Sequence, residues 1–207
     1  MLQDRLYEPH IAPFTELVDE LRTQDRGSVP YIAPTFGGIN AKGLVLFRDP
    51  GPFTEVSGML CHQNDDATAA RLTRLLHQVG IEPAMINLWN SYPWYINRHP
   101  KIAEIRLALP SLARVLELMR PTERRLHVYL GGAAAHNAWK EFEQEYPVMA
   151  KEVDTYAGRH TSNLGATVKG MTRVDVEKNV MLPIFKTFST GLLGDEAPIF
   201  KPTGLAV

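Results

Sequence analysis

Gly43-Leu44-Val45-Leu46-Phe47-Arg48-Asp49-Pro50-Gly51-Pro52 is the stretch that decides the fold. Its first five residues form an unbroken apolar run, as a strand buried on both faces requires. The run stops at a charged pair and a Pro-Gly-Pro turn. A buried strand that ends in turn chemistry presents its last side chains at the carboxyl edge of a sheet, where open α/β folds keep their sites. Asp49 therefore stands where a carboxylate can orient a water or balance a cation. Asp and Pro are also ordinary turn formers, and taken alone the segment carries both readings.

Working outward, the pattern alternates strands and helices. Phe14, Leu17, Val18 and Leu21 share one face of a helix over about residues 12–24, and a Gly- and Pro-containing loop spans 26–38. After the strand at 43–47 a long loop covers 49–64. Asp65 or Asp66 then caps a helix with Leu72, Leu75, Leu76 and Val79 at i, i+3, i+4, i+7, and Gly80 ends it. A second strand is predicted at 84–89, a loop at 90–101, and a helix at 102–119 that Pro110 kinks or divides. A third strand at 125–130 runs into Gly131-Gly132, which opens a helix at 133–145. His136, one turn on, is expected to face solvent. Past Pro147 the signals weaken to a loop at 160–163, an extra strand at 180–185 and a Gly/Pro-containing tail over the last ten residues. Such an alternation argues for a single α/β domain over 1–207: a three-layer α/β/α sandwich around a mainly parallel sheet of about four strands.

Bulk properties limit the function classes. The 207 residues carry a net charge of -1, so any nucleic acid would have to be met by a local patch. One cysteine, Cys61, excludes a disulfide framework or a four-cysteine metal site within the chain and suits a reducing compartment. Met1-Leu2-Gln3-Asp4-Arg5 is not a basic segment leading into an apolar one, and no apolar run has the length of a membrane span. A cytoplasmic location is expected, with no membrane partner.

Three segments at predicted strand ends carry the chemistry: Asp49-Pro50-Gly51-Pro52, Trp89-Asn90-Ser91-Tyr92-Pro93-Trp94-Tyr95 and His160-Thr161-Ser162-Asn163. A carboxylate can hold a water or stabilise a cation. An amide offers a donor and an acceptor in one plane. An imidazole can support a developing oxyanion. Cleavage of a glycosidic bond needs these three tasks, because its transition state resembles an oxocarbenium ion and pushes charge onto the leaving group.

With these segments in order, the chain resembles the uracil-DNA glycosylase superfamily, in particular a group of bacterial relatives. The resemblance runs from Pro30-Tyr31 and Gly37-Gly38-Ile39-Asn40-Ala41 through Asp49-Pro50-Gly51-Pro52 and Ser57-Gly58. It continues through Asn64-Asp65-Asp66-Ala67-Thr68-Ala69, Trp89-Asn90 and Pro93-Trp94-Tyr95, and ends at Leu130-Gly131-Gly132-Ala133-Ala134 and His160-Thr161-Ser162. It implies a monofunctional DNA glycosylase that flips a pyrimidine-type base out of DNA and leaves an abasic site, with DNA as partner and no metal or cofactor. Asp49 falls at the residue that positions the attacking water, and His160 at the histidine that donates to the base carbonyl. Asn90 falls at the amide that reads the base edge, with Asn87 as a rival. Trp94 would line the base pocket. Pro50, Gly51 and Ser162 would touch DNA, and Leu164 would fill the hole left by the flipped nucleotide.

Two departures bear on the substrate. Relatives in this group carry a glutamate where Arg48 stands, and an aromatic residue after Ser57-Gly58 where this chain has Met59, Leu60 and Cys61. Without a stacking ring, flexible Met59 would contact the base. The target is therefore uracil, in repair, or a bulkier modified cytosine of phage DNA, in defence. Thr187-Phe188-Ser189-Thr190 competes with the His160 segment for the second motif. A catalytically silent DNA-binding module is the alternative to an enzyme.

Overall fold

The computed structural model describes residues 1–119 and 125–198; of the tail expected over the last ten residues, 199–207 lie outside this range. The chain opens with helix α1 (Ala12–Arg22) and a two-residue strand β1 (Tyr31–Ile32). Strand β2 (Gly43–Phe47) is buried at every position. Helix α2 (Pro52–Ser57), strand β3 (Met59–Leu60) and helix α3 (Ala67–Gln78) lead to β4 (Ile86–Asn90). Helix α4 (Ile102–Met119), strand β5 (Leu126–Gly131), helices α5 (Ala133–Glu145) and α6 (Pro147–Ala150), and strand β6 (Val153–Gly158) follow. Helix α7 (Arg173–Val176) passes through a π-helical turn, Glu177–Met181, into α8 (Leu182–Leu193).

The main sheet has four strands in the order β4-β2-β5-β6, all parallel, and β1 pairs with β3 in a separate parallel ribbon. The molecule is thus mixed α/β, a parallel sheet with helices around it. Parallel neighbours need crossover connections, and right-handed crossovers carry α3 over one face and α4 and α5 over the other. The chain leaves β2 toward β4 on one side and leaves β5 toward β6 on the other. That reversal falls between the carboxyl ends of β2 and β5, the position at which open α/β sheets keep their ligand sites.

Several expectations are corrected. Residues 180–185 are helical, not a strand. Met181, Phe185, Phe188 and Leu192 are all buried at spacings of four, three and four, one face of a helix, and Pro183 sits in the first turn of α8 directly after the π-helical turn. Phe188 packs on Tyr129 and Tyr156, and Ser189 Oγ donates to Val79 O at 2.7 Å. The Thr187–Thr190 segment is therefore core helix and not a strand-end loop. Pro110 neither ends nor divides α4; it lies on the exposed face, where the carbonyl it leaves without a donor can meet water. The loop expected over 49–64 contains α2, announced by Pro52 at its start and Gly58, with φ of 69°, at its end. Strand β6 was not expected. It is an edge strand in which, after buried Val153, residues alternate between half-buried and exposed, so it lacks an apolar run.

Asp66, not Asp65, caps α3, with its carboxylate accepting from Thr68 N and Ala69 N. Gly43, at the start of β2, makes room for α8: a Cβ there would stand 2.4 Å from Leu192 and 3.0 Å from Phe188. Helix α8 thus seals one face of the sheet through aromatic contacts. Phe188→Ala should cost about 3–5 kcal/mol, because it empties a fully buried ring site between two tyrosines. A urea titration followed by circular dichroism checks this, and a loss below about 1 kcal/mol would contradict the packing.

Candidate functional site

The carboxyl edge of the sheet is shaped by glycines. Phe47 and Asn90 are register partners at the ends of β2 and β4, and Gly131 and Gly158 pair at the ends of β5 and β6. A Cβ on Gly131 would stand 2.5 Å from the Phe47 ring, and one on Gly132 3.1 Å from His160 Cβ. Gly132 also has φ of 94°, a backbone that disfavours side chains. The twin glycines therefore let Phe47 and His160 close over the end of β5, and the two rings meet with centroids 4.3 Å apart. The Gly132 N–H is bonded to Gly158 O at 2.9 Å. His136 does not face solvent: its Nε2 lies 2.9 Å from Leu130 O and 3.1 Å from Gly158 O, tying together the exits of β5 and β6.

Asp49 is held by the strand beside it. Ser91 bonds Phe47 O through its N–H at 2.8 Å and its hydroxyl at 2.9 Å, and Tyr92 N donates to Arg48 O at 2.9 Å. These bonds extend the β2–β4 ladder past its end and fix where the chain turns out. The Asp49 side chain is 5% exposed and is paired with Arg48 Nε; Arg48 Nη1 in turn lies 2.8 Å from a ring nitrogen of His99. Pro50 is buried and Gly51 exposed, with open space where a Cβ would stand.

His160 follows β6. Its Nδ1 accepts from Ser162 N at 3.0 Å, which places the ring proton on Nε2. Burial, and secondarily the Arg48 charge, push its pKa down to about 4, while Asp66 pulls the other way. The ring is therefore neutral at pH 7, with an Nε2–H donor that meets no hydrogen-bond partner among the described residues. The loop carrying it is braced from two sides. Arg71, buried in α3, donates to Thr161 O and to Asn163 Oδ1 at 3.2 Å and pairs with Glu177. Arg159 donates to Gly165 O at 2.6 Å and to Thr167 O at 3.0 Å. Neither arginine stood out in the sequence, because nothing local distinguishes a bracing arginine from a surface one. Ser162 is half-buried, its hydroxyl accepting from Gly165 N at 3.2 Å, and Leu164 is 80% exposed at the loop tip.

The two amides of β4 separate sharply. Asn87 is fully buried and fully committed: Oδ1 accepts from Gly38 N and Nδ2 donates to Gly38 O, both at 2.9 Å. It clamps the turn before β2 and has nothing left for a ligand. Asn90, 2% exposed, has an Nδ2 with no partner among the described residues. Trp94, expected in the base pocket, is a core residue, 1% exposed; its N–H donates to Leu21 O at 3.1 Å and its ring meets Tyr92. Met59 is buried in β3 opposite Tyr31, with Ser57 Oγ and Asn64 Nδ2 on its carbonyl oxygen. Asp49, Asn90 and His160 thus share the carboxyl edge of the sheet, whereas Asn87 and Trp94 serve the fold.

Compared with models of known protein families and with curated protein sequences, the chain matches none.

Asn87→Ala should leave two Gly38 backbone groups unpaired and cost about 2–4 kcal/mol in urea unfolding. His160 yields a pH prediction. Its folded pKa lies below the ordinary 6.5, so between pH 6.5 and about 4 the unfolded chain binds the proton and the folded chain does not. Stability from His160 is complete above pH 6.5 and is lost as pH falls toward 4. Burial also lowers the pKa of His62 and His127, so the comparison must be made against a variant. From pH 7 to 4.5 the wild type should lose about 2 kcal/mol more than His160→Asn. Equal losses would mean that His160 titrates as an ordinary surface histidine.

Proposed function

We propose that the protein is a monofunctional DNA glycosylase with the three-layer α/β/α architecture of the uracil-DNA glycosylase superfamily. The observation that supports this reading is the placement along one sheet edge of a buried carboxylate (Asp49), a buried amide with an unpaired donor (Asn90) and a neutral imidazole with an unpaired Nε2–H (His160). Each matches one task of N-glycosidic hydrolysis. The flipped pyrimidine would present its edge to Asn90, whose unpaired Nδ2–H suits a carbonyl oxygen. As the bond from the sugar carbon to the base nitrogen lengthens, negative charge gathers on the base. With Nδ1 accepting from Ser162 N, the ring presents its Nε2–H donor to that charge. Positive charge gathers on the sugar, where Asp49 faces it or aligns a water. The water oxygen bonds the sugar carbon and its proton leaves with the base.

Leu164 is exposed at the tip of a braced loop, as a side chain that replaces a flipped nucleotide in the duplex would be. One observation favours the second reading, a silent DNA-binding module: Arg48 neutralises Asp49.

Release of free base from duplexes carrying uracil, hydroxymethylcytosine or glucosylated hydroxymethylcytosine decides between them, with alkaline cleavage to reveal abasic sites. The wild type should act on at least one, and Asp49→Ala and Asn90→Ala should each lower the rate at least about 100-fold. The rate should hold from pH 8 down to about 5 and fall as His160 protonates near 4. Binding without any base release would favour the silent module.

A further inference from the structure

Arg48 occupies an unusual place for a residue beside a candidate catalytic carboxylate. Its Nε is on Asp49 Oδ1, and its Nη1 lies 3.1 Å and 2.8 Å from the two ring nitrogens of His99. The Arg48 side chain is 30% exposed, so this cation sits at the mouth of the site, whereas the carboxylate beneath it is 5% exposed. A carboxylate paired in this way is electrically neutral toward anything outside. It does little for a sugar that is becoming positive, because the guanidinium repels that sugar from almost the same position.

The hold on Arg48 from the other side is weak. His99 can accept only while its imidazole is neutral, and it lies on the exposed segment that follows Asn97, whose φ of 50° is uncommon for a side-chain-bearing residue. A guanidinium held by one carboxylate oxygen and an exposed imidazole is open to a better partner. A phosphodiester is one: it carries full charge and accepts two parallel N–H bonds from arginine.

We propose that Arg48 is a specificity-determining latch, which covers Asp49 in the free protein and moves onto a phosphate next to the target nucleotide, uncovering the carboxylate only when a polynucleotide is bound. The inference rests on the glycosylase reading and adds to it a basis for choosing DNA over free nucleosides. A nucleoside has no phosphate to draw Arg48 away, so Asp49 stays neutralised.

Two variants test this through binding, without turnover. The affinity for a short duplex carrying a tetrahydrofuran abasic-site analogue is measured between about 50 and 200 mM salt. Arg48→Gln should flatten the plot of log affinity against log salt by about one phosphate contact, a slope change of roughly 0.9. Asp49→Asn removes the competing carboxylate and should tighten binding about 3- to 10-fold with the slope kept, as the release of one ion pair predicts. An unchanged slope in Arg48→Gln, or no tightening in Asp49→Asn, overturns the latch. Base release by the wild type alongside either failure leaves the glycosylase reading standing. A wild type that neither binds the duplex nor releases base from any DNA overturns both.

Discussion

The rim of the sheet depends on two side chains that are absent. Gly131 and Gly132 end β5, and into the space above them close the Phe47 ring and the His160 backbone. A side chain at Gly131 would run into the Phe47 ring, and one at Gly132 would crowd His160 on a backbone with φ of 94°, pushing β2 and the loop after β6 apart. The parallel register supplies the rest. It lines up Phe47 with Asn90 and Gly131 with Gly158, so the strand ends from which Asp49, Asn90 and His160 emerge inherit their spacing from backbone hydrogen bonds. A third glycine, Gly158, leaves room for the Tyr129 hydroxyl, which bonds Arg159 O at 2.8 Å and aims the chain toward His160.

Electrostatics at this rim follow from burial. Asp49 is ion-paired with Arg48, whereas His160 gives up its charge because burial beside the Phe47 ring, and secondarily the nearby guanidinium, opposes it. The same cation thus acts on both groups with opposite results, a consequence of their opposite charges. An Arg71 that satisfies backbone and side-chain acceptors of the His160 loop completes the frame. Being buried and paired with Glu177, it is a brace whose loss would leave acceptors stranded in the interior.

Much of this was legible in the sequence, for physical reasons. The β2 run and the i, i+3, i+4, i+7 pattern of α3 are set by burial geometry, which leaves a periodic trace. Asp49 and Asn90 could be placed at strand ends because turn residues follow each. What escaped was decided by distant partners. The 180–185 run is too short for periodicity to separate a buried strand from a helix until Phe188 and Leu192 are counted with it. Asn87 and Asn90 lie three residues apart on one strand and look alike in sequence; only the approach of Gly38 from 49 positions away commits the first to the fold. The meaning of Gly131-Gly132 is steric, and the rings that need the space come from β2 and from the loop after β6.

The last constraint is the cost of leaving buried polar atoms unpaired. Asn90 Nδ2 and Thr161 Oγ1 lack partners among the described residues, and so does Trp89 Nε1. Trp89 neighbours Asn90 on β4, and because side chains alternate its indole belongs to the opposite face of the sheet. Asn90 is different. It ends its strand at the carboxyl edge, and an unpaired buried donor there costs about 1–3 kcal/mol in the free protein. Such a cost is poorly explained as a fold requirement, since an apolar residue of similar size would avoid it. It is readily explained by a partner that arrives later, because a donor already aimed and desolvated gains the whole bond when an acceptor enters. At the carboxyl edge, Asn90 Nδ2 and Thr161 Oγ1 are therefore the buried polar atoms among the described residues that an entering partner would satisfy.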